Sequence, residues 1–399
     1  MSDAMFYPME ADGANYPQAA VPLLPPASWR GLLGRKQVAA GSAFLQGGES
    51  YTQGRYALSE AMRRSGAEPG KSVLLPAFHC RAMVEAVLYL GAQPCFYPVT
   101  ADLRPDFPAL SALISDSEMP AAAMVMTHYF GFPNDIEAAE RLCAAHGIAL
   151  IEDCAHALYG RTGERLLGTM GSYATASVWK FLPLRDGAVL LDNTGGHLTN
   201  NLAQPWLAEV KALAAMLLGW GRRVWRRPPL PGIAAAVLGE QARVIAARPV
   251  ERRVDAGFKE FIPDMQALPA LRLSRWIMKH AAHHGIARRR RENYMKWLEG
   301  MRSVPGFKPL FPDLPEGVVP YAFPLLVDSS GMGFHLLKTA GIPFWRWEDM
   351  AVSGCAISSD YRIRLLQLPC HQELCTEELD WMIDAVQLLS QQLDSRAGK

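Results

Sequence analysis

Short apolar runs alternate with longer amphipathic segments through the first half of the chain, and that alternation predicts its architecture. Ser72–Leu75, Pro94–Val99, Ala121–Thr127 and Ile148–Ile151 read as strands. Between them, Tyr56–Ser65, Arg81–Leu90 and Ile136–His146 read as helices, the first entered through Gln53-Gly54-Arg55. Strands and helices in strict succession predict an α/β fold, a mainly parallel sheet sandwiched by helices. The pattern changes over residues 205–250, where the apolar stretch Leu207–Trp220 runs into Arg222, Arg223, Arg226 and Arg227 and then Pro228-Pro229-Leu230-Pro231. A second basic run, Arg288–Arg291, precedes an amphipathic segment through Leu298. From about Val318 the pattern restarts with a strand at Tyr321–Val327, a helix at Phe334–Ala340 and a last helix from Thr376 to about Leu393. These breaks predict an extended arm over residues 1–45, a large domain over 46–250 and linker helices with a small α+β domain over 251–399.

Composition adds exclusions. A chain of 399 residues, half of them hydrophobic and a fifth charged, can bury a large core. A formal net charge of +1 gives no drive toward nucleic acid. The seven cysteines form an odd set with no C-x-x-C pair, which argues against a disulfide framework or a metal site and for a reducing compartment. The N-terminal stretch has no basic segment followed by a long apolar one, so no secretory leader is expected. No apolar run reaches membrane-spanning length. The expectation is a cytoplasmic protein.

The candidate chemistry lies at the end of the fourth strand. The run Gly147–Ile151 delivers Glu152 and Asp153 to the carboxyl end of the sheet, where ligands of such folds bind. Lys180 follows 27 residues later, in Thr175-Ala176-Ser177-Val178-Trp179-Lys180, and Asp186-Gly187 opens another apolar run. A strand-end carboxylate and a lysine among small hydroxyl residues suit a pyridoxal phosphate enzyme. There a lysine forms the Schiff base, an aspartate holds the pyridinium proton and hydroxyls take the phosphate. The bland alternatives are a surface lysine and a helix-capping aspartate. Trp179, Phe181 and the apolar run after them weigh against the first.

Five segments carry a resemblance: Gly54-Arg55-Tyr56-Ala57-Leu58, Leu75-Pro76-Ala77-Phe78-His79, His128-Tyr129-Phe130-Gly131, Ile151 through Ala157, and Thr175 through Gly187. Leu368-Pro369-Cys370-His371 followed by Glu377-Glu378 adds a closing signature. In that order and spacing the chain resembles the DegT/DnrJ/EryC1/StrS family of PLP-dependent aminotransferases. The resemblance implies the aspartate-aminotransferase-like fold (PLP fold type I) and a homodimer. It also implies amino transfer from an amino acid, glutamate foremost, to a nucleotide- or lipid-linked keto-sugar in polysaccharide or cell-envelope biosynthesis. Carried over residue by residue, Lys180 is the catalytic lysine, Asp153 the pyridinium partner, and His156 a contact on the cofactor's 3′ oxygen side. Gly54 and Arg55 stand at the phosphate-binding turn. Thr175 and Ser177 both remain candidates for the phosphate hydroxyl. His128 reads equally as a cofactor-edge contact or a strand cap.

The chain also departs from the family. Cys80 stands where the family has an aromatic ring over the cofactor, leaving Phe78 or His79 as substitutes. Two other readings stay open: a PLP-dependent dehydratase or lyase, against which Lys180 itself argues, and a non-catalytic protein of the same fold, which Cys80 favours. The segment 207–227 has two readings as well. Its apolar face either packs inside the protein or meets the inner face of a membrane or a lipid-bearing substrate.

Overall fold

The computed structural model describes residues 5–7, 9–11, 16–28, 41–196, 204–225, 250–252, 258–327 and 332–397. The chain begins with β1 (Met9–Ala11), β2 (Glu49–Tyr51), α1 (Gly54–Arg64), β3 (Ser72–Pro76), α2 (Arg81–Tyr89) and β4 (Gln93–Tyr97). Next come α3 (Phe107–Asp116), β5 (Ala121–Thr127), α4 (Ile136–His146), β6 (Ala149–Asp153), β7 (Arg161–Thr162), β8 (Arg165–Leu166), β9 (Tyr173–Ser177) and β10 (Ala188–Asp192). After these lie α5 (Trp206–Trp225), β11 (Val250–Arg252), α6 (Arg272–His280), α7 (His283–Gly300), β12 (Phe307–Pro309) and β13 (Ala322–Val327). The chain closes with α8 (Met332–Thr339), α9 (Ala356–Arg364), β14 (Leu365–Pro369) and α10 (Thr376–Ala397).

Seven strands form the central sheet in the order β2-β10-β9-β6-β5-β3-β4. The pairings β4–β3, β3–β5, β5–β6 and β6–β9 are parallel. The strands β10 and β2 close one side antiparallel. Strands covered on both faces are apolar throughout, which is why β3 and β5 lack alternation. One face packs Tyr56, Met62, Met83 and Val87 of α1 and α2 against Leu75 and Val125. The other joins Phe78, Met124, Met126 and Tyr129 to Trp297, Phe323 and Met382 of the C-terminal segments in one continuous core. There β12, β13 and β14 make a small antiparallel sheet.

Local chemistry fixes where β6 begins. Asp135 caps α4 by accepting the Ala138 amide at 3.1 Å. Gly147, at φ +67°, ends it, and the Ile148 amide then donates to the Cys143 carbonyl at 2.9 Å. The helix α3 was not anticipated, although Asp106, which accepts the Ala109 amide, and Pro108 form a start signal.

Candidate active site

Strand periodicity separates the acidic pair. Successive side chains of β6 point to opposite faces, so Glu152 and Asp153 serve different environments. Glu152 is fully buried and accepts the amides of Gly168, Met170 and Gly171 at 2.9, 2.6 and 2.9 Å. It also faces His128 Nε2 at 3.2 Å, while His128 Nδ1 accepts the Asn134 amide at 3.0 Å. That assigns the imidazole proton to Nε2 and satisfies both groups. His128 is therefore part of a buried scaffold and does not reach the cavity described next. Although Cys154 lies near this pair, the three amides and His128 together already fill Glu152's acceptor sites.

Asp153 faces a cavity of about 650 Å³ at the carboxyl ends of β6 and β9, lined also by Gly54, Arg55, Cys80, His156, Ser177 and Lys180. One carboxylate oxygen accepts the Ala155 amide at 2.9 Å; among the described residues the other has only the Thr127 hydroxyl, at 3.4 Å. Burial pushes the Asp153 carboxyl up, against the pull of the Ala155 amide and the Lys180 charge. A buried, under-satisfied carboxylate of this kind calls for a cation or a proton donor.

Lys180 ends a single 3-10 turn, Val178–Lys180, that follows β9. Burial pushes its amine pKa down, partly opposed by Cys80 and Asp153, with Arg55 adding to the fall. Its Nζ lies 5.5 Å from the centre of the Tyr321 ring. The ring of His156 stacks on Tyr321 at 4.5 Å between centroids, and burial followed by the Lys180 charge pushes His156 well below the usual histidine value. His156 is therefore neutral.

The N-terminus of α1 meets this group from below. Gln53 supplies no side-chain cap, so the first amides of the helix remain available to an anion. Gly54 is required here: a Cβ at that position would come within 2.2 Å of Ser177 Oγ. Arg55 is in the cavity but engaged, with Nη1 2.8 Å from Glu260 Oε2 and also donating to the Glu260 carbonyl. Glu260 is in turn held in place, because buried Glu85 accepts the amides of Lys259, Glu260 and Phe261 at 2.9, 2.7 and 2.7 Å.

Uncapped amides, a glycine-permitted close approach, an under-satisfied buried carboxylate and an amine of lowered pKa form a donor set that fits pyridoxal phosphate. Two of the candidates do not join it. Thr175 is buried two residues back along β9, opposite Asp153 in the sheet register. It shares a face with Ser177 but lies too deep to reach the cavity. His79 is fully buried, stacked 4.6 Å from Phe96, with Nδ1 donating to the Pro76 carbonyl and Nε2 accepting the Ala351 amide. Phe78 packs in the core against Tyr129 and Trp347. Neither residue can replace a ring at Cys80.

The aromatic surface of the cavity comes from elsewhere. Trp345, Trp347, Phe334 and Phe344 line it beside Arg81, Lys338 and Arg346. None of these was singled out from the sequence. The compact run Trp345-Arg346-Trp347-Glu348-Asp349 was the available signal, but its local pattern names no partner.

The position of His79 has a pH consequence. Burial pushes its pKa down to about 4 from 6.5, because a second proton would face the Ala351 amide. The unfolded chain takes up that proton near 6.5, so stability is complete above 6.5 and falls by ~3 kcal/mol as pH drops from about 6.5 to about 4. Urea titrations across this range are expected to show a smaller acid loss for His79→Gln than for the unaltered protein. Equal losses would contradict the assignment.

Residues 49–189 match the model of the DegT/DnrJ/EryC1/StrS aminotransferase family. The chain is 31% identical over 148 residues to UDP-N-acetyl-3-dehydro-alpha-D-glucosamine 3-aminotransferase of Acidithiobacillus ferrooxidans, covering 37% of this chain and 38% of that protein. To GDP-perosamine synthase of Vibrio cholerae it is 28% identical over 149 residues, covering 36% and 39%. The matched stretch thus spans less than two fifths of these relatives' length. Over a longer stretch, 86% of this chain and 85% of the other, the fold is that of a DegT DnrJ EryC1 StrS aminotransferase from Brucella abortus, with a TM-score of 0.58 at 19% identity.

Proposed function

We propose that this chain, whose residues 49–189 match the model of the DegT/DnrJ/EryC1/StrS aminotransferase family, is a pyridoxal-phosphate-dependent aminotransferase of that family. It would move an amino group from an amino acid, glutamate in our reading, to a nucleotide-linked keto-sugar. The observation that carries the proposal is the meeting of Lys180, Asp153 and the N-terminus of α1 in one cavity. The acceptor class is supported by the names of the two nucleotide-sugar relatives. A homodimer and a role in polysaccharide biosynthesis belong to the same reading.

When bound, the cofactor supplies an electron sink for the carbon that loses its proton. The chain's own residues do the rest. Asp153 holds the proton on the ring nitrogen, and a cation there answers its unmet hydrogen-bonding demand. The first amides of α1, Ser177 and Arg55 take the phosphate. Lys180, its amine favoured in the neutral form by burial, takes a proton from the donor's α-carbon and returns one to the acceptor carbon. Neutral His156 would orient the ring edge, and Trp345 and Trp347, which line the cavity, would exclude water. Mixing the PLP-loaded protein with glutamate tests the proposal. A stoichiometric release of 2-oxoglutarate is expected, and none from the PLP-loaded protein at any concentration of glutamate or other common amino donors would refute it.

The Arg55–Glu260 pair adds a prediction. Glu260 sets a carboxylate against the arginine that the phosphate needs, so Glu260→Gln should tighten PLP binding. A half-exposed pair is worth up to about 1 kcal/mol, or about fivefold in Kd. Fluorescence titration measures it; weaker binding by the variant would mean that Glu260 positions Arg55 instead of competing for it.

A further inference from the structure

The exposed face of α5 has no partner among the described residues. Its inner side is accounted for: Ala212, Ala215 and Met216 share a crevice with Leu273 and Ile277 of α6. Glu209 locks the two helices together by accepting the Arg272 and Leu273 amides at 2.6 and 3.2 Å. The outer side is nonetheless apolar. Trp206, Leu207, Val210, Leu213, Leu217 and Leu218 are all exposed, Trp206 by 71% and Leu218 by 69%. A soluble helix places polar residues on such a face, and a contiguous apolar patch of this kind marks an interaction surface.

The adjoining α6 gives the patch its chemistry. It exposes Arg272, Arg275 and Lys279 around Trp276, itself 50% exposed. Among the described residues none of these three cations enters an ion pair. In sequence, α5 ends in Arg222-Arg223-Val224-Trp225 and is followed by Arg226 and Arg227, the latter two outside the described residues. Apolar and tryptophan side chains bordered by unpaired cations are the composition of a surface that rests on anionic lipid headgroups. A second copy of the chain fits less well, since a two-fold contact would set these cations against their own counterparts. No helix of the described residues is long and apolar enough to cross a membrane.

We propose that α5 and α6 form a docking surface for the anionic headgroup layer of a lipid bilayer. The apolar face of α5 enters the interface and Arg272, Arg275 and Lys279 meet the phosphates. The proposal is independent of the reaction assigned to the cavity.

Flotation of the PLP-loaded protein with phosphatidylcholine vesicles, with and without phosphatidylglycerol, tests it. Binding is expected only to the anionic vesicles and is expected to be lost at high salt. At about fivefold per cation near the surface, reversing the three α6 charges should weaken it at least 100-fold. Leu213→Glu with Leu217→Glu should abolish it, and because all five positions are exposed, both variants should keep the far-ultraviolet dichroism of the parent. No binding to anionic vesicles at low salt overturns the proposal. So does binding that either variant leaves unchanged, or a self-association that Leu213→Glu with Leu217→Glu abolishes.

Discussion

Lys180→Ala is expected to leave a folded protein with no measurable amino transfer. The turn Val178–Lys180 is held by backbone bonds, with the Val178 amide donating to Gly187 and the Phe181 amide to Val178. The Lys180 side chain is not part of that scaffold, and its backbone carbonyl, which accepts from Arg290 at 3.2 Å, survives the substitution. What is lost is the amine, whose pKa burial pushes down toward the neutral form. A positioned general acid–base group contributes about 10²- to 10⁴-fold. Lys180 would also supply the covalent attachment, so the loss should lie at or beyond the upper end of that range. A variant that keeps a tenth of the parent rate would remove Lys180 from the reaction.

Asp153→Asn should separate stability from function. Burial pushes the Asp153 carboxyl up, so in the cofactor-free protein the ionised form costs stability once pH exceeds the ordinary aspartate value. Asparagine keeps the shape and removes that cost. The cofactor-free variant should therefore melt at or above the parent temperature at neutral pH. The loaded variant should be slower by about 10²- to 10³-fold, the size expected when one preorganised electrostatic partner is removed. A destabilised variant, or one with the parent rate, would mean that Asp153 serves the fold and not the ring nitrogen.

Much of this arrangement was legible in the sequence, for identifiable reasons. The apolar runs of β3, β5 and β6 are unambiguous because strands covered on both faces need no alternation. Glu152 and Asp153 read from the sequence only as an acidic pair; period two, once β6 is placed, sends them to opposite faces. The same period could not choose between Thr175 and Ser177, which share a face; depth along β9 makes the choice, and depth depends on where the sheet ends. His79 failed for a related reason. Three residues past Pro76 the chain has turned, and the ring is claimed by Phe96 and the Ala351 amide. Glu260, Trp345 and Trp347 were invisible because they reach the cavity across long sequence separations, from segments whose own pattern is irregular. Tertiary placement, not local propensity, decides such positions.

The central claim is that one lysine, Lys180, holds pyridoxal phosphate in the cavity that Asp153 and α1 define. Borohydride reduction of the protein mixed with PLP, followed by peptide mass mapping, tests it most directly. The account predicts a single stoichiometric addition on the peptide that contains Lys180, absent from Lys180→Ala. Addition at another lysine, or none at saturating cofactor, would contradict it.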